Sequence, residues 1–467
     1  MSKTTGTPMP SMAVVHVPFG YLPDTLGGTE VYVAGLAREL TDLEVSSSVI
    51  ASGATDSKYL HDGINVTRLV PSSKLTLEAM YSDGDLSAAQ KFGGELDLIR
   101  PQVVHFHAFT ASASLAAMRE AAQRGVPILL TYHTPTVTCL RGTMLRWGVV
   151  PCAGEMVVTT CSACSLHGRG IPKWIAFLVS RIPLPISRVV ARATRSKFAT
   201  VLGMRWLTSI RHEATRSALA LCRFVISPCE WVSRVLIVNG VPESKVVLSR
   251  QGLSSVSASK EVDRKLAKTA LGSSSSSTLR LVFFGRIHPT KGLHTVLRAL
   301  AFRPNLAVSL TIYGASGDDH AHANQIAALA RADSRVEIAS PLPNTEVVAA
   351  IATYDAVVIP SEWLETGPLV VYEAFAAGVP ILGADLGGIR ELVTERVNGR
   401  LLAPGDANAW AEAIAEIADN RGLLATWRQN IPPVRTMREV ALDMSRVYND
   451  TLGLVAPAMP PSRLPRP

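Results

Sequence analysis

Short apolar runs alternate with helical patterns along most of this 467-residue chain, and this alternation limits the possible folds more than any other feature. Short apolar runs bounded by polar or Gly/Pro-rich segments are typical of buried strands. Strands that alternate with helices predict a mostly parallel sheet with helices on both faces, because each parallel pair needs a crossover connection. The predicted strands are 12–18, 103–106, 127–132, 224–227, 279–284, 308–313, 336–339, 356–359 and 380–382.

A serine-rich segment at 254–278 interrupts the alternation and predicts a junction between two doubly wound α/β domains. The ends of the chain are polar or rich in Pro, which is typical of disordered termini. The predicted segments are a disordered start (1–11), an N-terminal domain (12–255) with a Cys-rich and basic insertion (139–216), a C-terminal domain (256–437), a helix that could pack back on the N-terminal domain (438–455) and a disordered tail (456–467).

The composition favours a folded, cytosolic protein. Hydrophobic residues make up 47% of the chain, which argues against global disorder. The sequence contains no apolar run of about 18 or more residues, so it does not predict a helix that spans a membrane. The polar first residues do not resemble a secretory signal. We therefore expect a cytoplasmic location.

The net charge of +8 is concentrated in one segment of the chain. Residues 169–216 contain ten Lys or Arg residues and one acidic residue, Glu213. A protein that binds nucleic acid over its whole surface would carry its basic residues more widely. We therefore predict no nucleic-acid partner, but a local contact with an anionic partner.

A strand followed by two cations marks the first candidate ligand site. Gly285 and Arg286 follow the strand 279–284, and Lys291 stands just before a predicted helix. Glycine allows the backbone to approach a ligand, and cations near the start of a helix favour an anion there. The pattern predicts a diphosphate site, although two ordinary loop cations would give the same pattern.

A second cluster combines two glutamates with a helix start. Pro368 suits the first position of a helix that continues over 369–377, because its missing N–H would be unpaired there. Glu365 lies in the preceding loop and Glu373 in the first two turns, so both carboxylates could accept hydrogen bonds from sugar hydroxyls. A capping acid with a surface glutamate is the alternative interpretation.

Together these clusters resemble the retaining family-4 glycosyltransferases of the GT-B fold, also called the group 1 glycosyltransferases. The most specific motif is the pair Glu365 and Glu373, with seven residues between them, inside SEWLETGPLVVYEAFAAGVP. FFGRIHPTKGL precedes this motif and GGIREL, with Gly387 and Gly388, follows it. The resemblance covers essentially the whole chain and implies two Rossmann-like domains that face a central cleft. The C-terminal domain would bind a nucleotide-sugar donor, and the N-terminal domain would lie on the acceptor side.

The resemblance also implies roles for individual residues. Arg286 and Lys291 would hold the donor diphosphate and stabilise the leaving nucleotide, without a catalytic metal. Glu373 would accept from the ribose hydroxyls, and Glu365 would contact the donor sugar near the reacting carbon. The donor would be a UDP- or GDP-sugar. Further donor-binding groups implied are Gly27, Gly28, Gly285, Gly367, Pro368, Leu369 and Val370.

In the N-terminal half, the resemblance rests on a glycine loop and a histidine. Gly27 and Gly28 match the loop that reaches the donor phosphates and the acceptor. His133 follows a predicted strand and would orient the acceptor or the donor sugar. Of two further histidines that follow a strand, we interpret His105 as a core residue and His107 as the better cleft candidate.

Four of the six cysteines fall in one short window. Such a cluster in a cytosolic chain predicts a structural zinc site. Unrelated buried thiols, or a redox pair in the CxxC motif, are the alternatives. The four cysteines are Cys139, Cys152, Cys161 and Cys164.

The basic segment 169–216 also contains aromatic residues, including Trp174, Phe177 and Phe198. Aromatic side chains next to cations are typical of helices that lie on an anionic membrane surface, here the inner face of the membrane. A helical insertion packed on the sheet, with a solvated basic face, is the alternative.

The leading hypothesis is an enzyme that transfers a sugar to a hydroxyl in polysaccharide, glycolipid or lipid-linked glycan assembly. The acceptor would be a glycan, a lipid-linked sugar or a small molecule. A GT-B-like scaffold that binds a nucleotide or glycan without turnover is the alternative from another class, and a nucleotide-sugar epimerase is a second. The joint presence of Arg286, Lys291, Glu365 and Glu373 argues against a scaffold.

Overall fold

A computed structural model describes residues 12–23, 27–72, 74–193, 196–254, 278–314 and 319–453. The predicted disordered ends, and the predicted junction over 255–277, lie outside the described residues. Its strands, in chain order, are β1 Met12–Val17, β2 Val45–Ser52, β3 Ser57–His61, β4 Ile64–Leu69, β5 Val103–Phe106, β6 Ile128–Thr131, β7 Leu145–Arg146, β8 Val150–Pro151, β9 Cys222–Ser227, β10 Val246–Leu248, β11 Leu279–Phe284, β12 Val308–Tyr313, β13 Val336–Ala339, β14 Ala356–Ile359, β15 Ile381–Ala384 and β16 Gly399–Leu402.

Helices connect most of these strands. The α-helices are Gly28–Thr41, Leu77–Tyr81, Leu86–Ile99, Leu115–Gln123, Val158–Gly168, Lys173–Val179, Leu184–Ala193, Lys197–Leu202, Met204–Leu221, Glu230–Val238, Leu293–Ala301, His320–Arg331, Val347–Ile351, Leu369–Ala376, Gly387–Leu392, Ala407–Asp419, Gly422–Gln429 and Met437–Leu452. Short 3-10 helices lie at Pro135–Val137, Glu243–Lys245 and Pro289–Lys291.

The chain packs into two compact units that do not follow chain order. The first unit comprises Met1–Thr131, Ser217–Ile226 and Arg438–Pro467, and the second comprises Tyr132–Arg216 and Ser227–Met437. Sequence reasoning placed 132–216 and 227–255 in the N-terminal domain, whereas their described residues pack with the second unit. The difference arises because a compact unit is defined by its contacts, which a linear pattern does not contain.

The first unit contains a sheet with the strand order β9-β6-β5-β1-β2-β4-β3. Its pairs are parallel except β3 with β4, which form an antiparallel edge. The order changes direction at β1, so the loops after β1 and β5 flank the switch point of this sheet. The predicted C-terminal helix is present as Met437–Leu452, and the Tyr448 hydroxyl lies 2.8 Å from Nδ1 of the buried His105.

The second unit contains a parallel sheet with the order β13-β12-β11-β14-β15-β16. Counted from β11, this is the order 3-2-1-4-5-6 of a Rossmann fold. Leu281 and Phe283 of β11 pack in one apolar core and Val282 in another, so both faces of the sheet are covered. Ligands in such sheets bind beyond the carboxyl ends of the strands at the switch point, here between β11 and β14.

The predicted strands are confirmed with end shifts of at most two residues, but several strands were missed. Strand β2 was missed because the serine triplet 46–48 makes its sequence look polar. In the sheet, Ser47 is 6% exposed and lies between the buried Val45 and Val49. Among the described residues, no single helix is long and apolar enough to cross a membrane; only the helices Lys173–Val179 and Leu184–Ala193 meet that criterion, as a pair bent by 103°.

Candidate functional site

Two loops meet at the switch point of the second unit, and both carry predicted site residues. Strand β11 ends at Phe284 and leads into Gly285 and Arg286, while β14 ends at Ile359 and leads towards Glu365. The backbone N–H of Glu362 donates to the carbonyl of Thr290 at 2.7 Å, which joins the two loops. The parallel arrangement therefore brings together residues that are about 75 positions apart in sequence.

Gly292 is the residue that allows this close approach. It has φ +66° at the start of the helix Leu293–Ala301. A Cβ atom there would overlap the backbone carbonyl of Pro360, in the loop after β14. Glycine is therefore required by both the left-handed conformation and the contact.

Lys291 and Glu365 form the centre of the site. Lys291 Nζ lies 2.6 Å from Glu365 Oε1, and Ser361 Oγ donates to the same oxygen at 2.9 Å. Glu365 is 7% exposed, and the ammonium group also lies 5.4 Å from the centre of the Trp363 ring. Burial raises the pKa of Glu365, but Lys291 and the hydrogen bonds outweigh burial and hold that pKa below its ordinary value. The structure therefore contains an ion pair whose carboxylate is buried and ionised and whose lysine side chain is 23% exposed.

The backbone of Glu365 is clamped from two sides. Its carbonyl oxygen accepts from the Gly388 N–H at 2.7 Å and from Trp231 Nε1 at 2.9 Å. Gly387, with φ +50°, packs so closely that a Cβ atom would lie 2.9 Å from the Glu365 nitrogen. The glycine pair, which the sequence offered only as part of the GGIREL motif, packs on the Glu365 backbone. Trp231 was missed, because nothing local in the sequence relates it to a residue 134 positions away.

His133 lies beside the same loop. Its backbone carbonyl accepts from Thr366 Oγ1 at 2.6 Å, and its side chain is 7% exposed. Burial lowers the pKa of His133 to about 3, so its ring is neutral at physiological pH. The structure therefore brings His133, Lys291 and Glu365 into one unit around one loop.

The helix after this loop begins one residue later than predicted. Pro368 is the N-cap residue and Leu369 is the first helical residue. Gly367 has no room for a side chain, because a Cβ atom would lie 2.8 Å from the Gln251 side chain. The free amides at the helix start, around Leu369 and Val370, have no side-chain cap, so they remain potential donors to an anion.

Glu373 lies on this helix in an apolar setting. Burial raises its pKa to about 7, and its carboxyl group forms no hydrogen bond or ion pair with another described residue. Arg286, in contrast, is exposed and forms no ion pair with the described part of the chain. Both groups are thus available to a ligand from outside the protein.

The glycine loop belongs to the first unit and is described within it. Gly27 is the N-cap residue of the helix Gly28–Thr41, and Gly28 is exposed at the first helical position. The buried Glu30 lies in the first turn of that helix. The predicted roles of Gly27 and Gly28 remain predictions.

The histidines of β1 and β5 form a buried cluster in the first unit. His105 lies with Nε2 2.7 Å from Thr131 Oγ1, and His16 Nδ1 lies 3.1 Å from His107 Nε2. The interpretation of His105 as a core residue is confirmed. His107 is 2% exposed and faces His16, so its interpretation as the better cleft candidate is not supported.

The four clustered cysteines line one cavity of about 90 Å³. Burial raises the pKa of Cys161 to about 12, so without a cation it is a protonated thiol. Among the described residues, one group of three or more potential metal ligands has its ligand atoms within 4.8 Å of one another, namely His16, His105 and His107. The cysteines therefore share a cavity without that close spacing. Cys222 and Cys229, the other two cysteines, are buried outside this cavity.

Comparison with known families and proteins agrees with this geometry. The family described as "Glycosyl transferases group 1" matches residues 273–432, and "Glycosyltransferase Family 4" matches residues 26–253. Between them they match most of the chain. The chain belongs to the group 1, family-4-like glycosyltransferases. Its two parallel-sheet units are those of the GT-B fold.

Matches to individual curated proteins cover less of the chain than the two family matches together. This glycosyltransferase is 36% identical to D-inositol 3-phosphate glycosyltransferase of Mycobacterium marinum over 155 residues, which is 32% of this chain and 33% of that protein. The chain spans about a third to two fifths of the length of the curated relatives it matches.

Solved structures resemble the glycosyltransferase over nearly its whole length. Sucrose-phosphate synthase from Thermosynechococcus elongatus superimposes with a TM-score of 0.63 at 17% identity, covering 95% of this chain and 100% of that one. Anabaena HepE in complex with UDP gives a TM-score of 0.59 at 16% identity, with the same coverage. At these identities the likeness establishes the fold alone.

Replacement of Trp231 by phenylalanine tests the clamp on Glu365. The variant keeps an aromatic ring but removes the donor to the Glu365 carbonyl. We expect kcat of the glycosyltransferase to fall roughly fivefold with little change in KM, because a hydrogen bond contributes about 1 kcal/mol. Trp410→Phe is the matched control. Trp410 is also buried in the second unit, but its Nε1 has no hydrogen-bond partner among the described residues. Equal losses of kcat in the two variants would show that only packing matters.

Replacement of Glu373 by glutamine tests the raised pKa of this carboxyl group. The folded-state pKa of about 7 lies above the ordinary glutamate value of 4.5, so the folded protein binds more protons and loses stability as the pH rises between these values. We expect the melting temperature of Glu373→Gln, relative to wild type, to increase from about pH 5 to about pH 8.

Glu362→Gln is the control for this prediction. Burial raises the pKa of Glu362, but His294 and Thr295 outweigh burial and lower it, so its contribution to stability is lost as the pH falls. The difference in melting temperature between Glu362→Gln and wild type should therefore stay nearly constant from about pH 5 to about pH 8, and should change only below the ordinary pKa of 4.5. If the difference in melting temperature between Glu373→Gln and wild type does not vary with pH, the raised pKa of Glu373 is contradicted.

Proposed function

We propose that this glycosyltransferase transfers a sugar from a nucleotide-diphosphate donor to an acceptor hydroxyl with retention of anomeric configuration. The observation that carries the proposal is the Lys291–Glu365 pair, with its buried carboxylate, at the switch point of the donor-side sheet. A buried carboxylate is costly to maintain without a partner, and the position of the pair beside a helix start matches a site that stabilises a phosphate.

Lys291, Arg286 and the start of the helix Leu369–Ala376 hold the donor diphosphate in this proposal. Arg286 is exposed and supplies a fork of donors, while Lys291 supplies a fixed charge. The amides around Leu369 and Val370 complete the phosphate site, next to Gly285 and Gly367. These groups stabilise the negative charge of the leaving nucleotide, so no catalytic metal is required.

The two glutamates and His133 contact the sugars of the donor. Glu365 is charged and clamped by its neighbours, which suits a group that holds the transferred sugar near its reacting carbon. Glu373 lies in the second turn of the helix Leu369–Ala376 and, when ionised, accepts hydrogen bonds from the ribose hydroxyls. The neutral His133 can donate or accept a hydrogen bond towards the sugar or the acceptor. UDP bound to HepE supports a uridine diphosphate donor, and a GDP-sugar is the alternative to be tested.

Transfer occurs on one face of the sugar. The bond between the anomeric carbon and the diphosphate oxygen breaks as the acceptor oxygen bonds to the same face. Cleavage leaves the electron pair and negative charge on the leaving phosphate oxygen, where Lys291 and Arg286 stabilise it, and the acceptor proton passes to that oxygen.

The acceptor is a glycan, a lipid-linked sugar or a small molecule, used on the cytoplasmic side of the membrane. The inositol phosphate acceptor in the name of the Mycobacterium marinum relative makes a phosphorylated polyol one member of the panel to be tested. The basic segment 169–216 supplies contact with an anionic membrane surface.

The proposal is tested in two steps. UDP, GDP and ADP are first screened for thermal stabilisation, because a ligand at 100 times its Kd adds about 2.7 kcal/mol. The stabilising nucleotide then selects sugar donors, and NMR of the product with an acceptor panel, with and without EDTA, gives the anomeric configuration. An inverted product would refute retention, and loss of turnover in EDTA would refute metal independence. Binding without turnover would favour the scaffold, and an altered sugar nucleotide formed without an acceptor would favour an epimerase.

A further inference from the structure

The helical insertion of the second unit has an apolar core of its own. Its helices pack around a buried cluster whose members are Ala163, Leu166, Ala176, Val179 and Met204. The Ser187 hydroxyl donates to the Leu202 carbonyl at 3.0 Å and fixes the helix Leu184–Ala193 against the next one. The apolar side chains on the inner faces of these helices are therefore already buried against one another.

A second apolar surface faces outwards. Trp174, Phe177 and Leu178 share one side of the helix Lys173–Val179 and are 68%, 49% and 59% exposed, whereas Ala176 and Val179 on the other side are buried. Seven of the 23 large apolar side chains exposed in the described residues fall within 174–198. Such clustering of exposed apolar groups marks an interaction surface. The remaining four are Leu184, Ile186, Val189 and Phe198.

Cations lie between these apolar side chains. Lys173, Arg181, Arg188, Arg192 and Lys197 are all exposed, and no acidic residue occurs between Glu155 and Glu213 in the sequence. The Arg181 guanidinium lies 3.3 Å from the centre of the Phe177 ring, so charge and apolar surface are interleaved. A second copy of this surface would oppose cation to cation, which disfavours self-association through it.

We infer that the exposed apolar side chains of this segment, Trp174, Phe177, Leu178, Ile186, Val189 and Phe198, dock on an anionic lipid surface together with the cations between them. Aromatic side chains enter the headgroup layer while the adjacent cations meet lipid phosphates. The surface stands apart from the proposed reaction, because it contains none of the donor-site residues. Its role is to hold the enzyme where lipid-linked acceptors are found.

Vesicle cosedimentation of the full chain tests this inference. We expect binding to phosphatidylcholine vesicles that contain phosphatidylglycerol, weakened by salt, and little binding to phosphatidylcholine alone. Trp174→Ser combined with Phe177→Ser and Val189→Ser should lower the affinity at least tenfold. Arg188→Gln with Lys197→Gln should remove the preference for anionic vesicles.

Exposed apolar residues elsewhere provide the control. Leu60 and Phe302 are 66% and 55% exposed but stand apart from the basic segment in sequence, so Leu60→Ser with Phe302→Ser should bind as wild type does. Equal binding by the triple variant and wild type, or no binding of wild type to anionic vesicles, would overturn the inference. Selective capture of an acidic protein without vesicle binding would also overturn it. Transfer to a water-soluble acceptor is measured separately, so failure of docking is distinguished from failure of the proposed reaction.

An independent observation concerns the cysteine cavity. Cys139 follows the turn Pro135–Val137, Cys152 follows the β7–β8 hairpin, and Cys161 and Cys164 lie one turn apart on the helix Val158–Gly168. The backbone N–H of Trp147 in the hairpin donates to Cys164 Sγ at 3.3 Å. Backbone donors of this kind orient and stabilise sulfur ligands of metals.

The structure assigns zinc to this cavity, held by Cys139, Cys152, Cys161 and Cys164. Zinc–sulfur bonds of about 2.3 Å place four sulfur atoms about 3.8 Å apart, so the metal has to draw the hairpin and the helix together. We therefore expect the metal to raise the thermal stability of the insertion.

Metal analysis of the purified full chain tests this assignment. We expect about one zinc per chain after exposure to zinc chloride and removal of the excess, and at least a tenfold loss in Cys161→Ser and in Cys164→Ser. Cys222→Ala and Cys229→Ala, which change buried cysteines outside the cavity, should retain zinc. Absence of zinc from wild type would overturn the assignment, as would a thiol count that shows a Cys161–Cys164 disulfide.

Discussion

Replacement of Lys291 by alanine is expected to lower kcat/KM by roughly 100- to 1,000-fold, which corresponds to about 2.7–4 kcal/mol of transition-state stabilisation. Lys291 is the one described cation bonded to Glu365, and in our proposal it stabilises the charge of the leaving diphosphate. The affinity for the nucleoside diphosphate should fall as well, because the product carries the same phosphate groups. Steady-state kinetics and calorimetric titration of the nucleotide measure the two effects.

The stability of Lys291→Ala should depend on pH in a defined direction. Lys291 opposes the effect of burial on the pKa of Glu365, so this pKa is higher in the variant than in wild type. The variant therefore loses stability relative to wild type as the pH rises. Its melting temperature should lie closer to that of wild type at about pH 4 than at about pH 8. A difference in melting temperature that does not change with pH would show that Lys291 does not lower the pKa of Glu365 as the structure indicates.

Lys58→Ala is the matched control. Lys58 also pairs with a glutamate, Glu95, at 2.7 Å, but its side chain is 58% exposed and lies in the first unit. A surface ion pair contributes about 0–1 kcal/mol to stability, so this variant should keep its activity and most of its stability. Full activity of Lys291→Ala, with nucleotide affinity unchanged, would refute the phosphate site.

Replacement of Glu365 by glutamine is expected to lower kcat roughly 100-fold with a smaller change in KM. The amide preserves the shape of the side chain and its hydrogen bond from Ser361, but it removes the negative charge. Removal of one partner from a buried pair also costs about 3–5 kcal/mol of stability, an upper limit here because Lys291 is 23% exposed. Kinetics at a temperature well below the melting transition separate the two effects.

Glu362→Gln controls for the loop that carries Glu365. Glu362 lies three residues earlier and accepts a hydrogen bond from Thr295 Oγ1 at 2.7 Å. Loss of its negative charge therefore perturbs the same loop without changing either member of the Lys291–Glu365 pair. We expect kcat within a few-fold of wild type. The double variant Lys291→Ala with Glu365→Gln should lose little more than the worse single variant, because residues that act as a unit are not additive. Unchanged kcat in Glu365→Gln would limit that residue to binding.

The sequence by itself determined where each candidate site residue stands on its own element. The alternation of apolar runs and helical patterns located β11 and β14, and the spacing of Glu365 and Glu373 placed them around one helix start. These features are local: a strand or a helix depends on a few neighbouring residues, and parallel strands bring their carboxyl ends to one edge. Lys291 and Glu365 could therefore be predicted to share a site.

Only the tertiary structure decided what surrounds those residues. The bond from Trp231 to the Glu365 carbonyl and the packing of Gly387 on its backbone join distant parts of the chain. The neutral His133, the raised pKa of Glu373 and the outward face of Trp174 each depend on which elements pack nearby. Burial and long-range contacts come from the packing of whole elements, and the pattern within a single element contains no information about its partners.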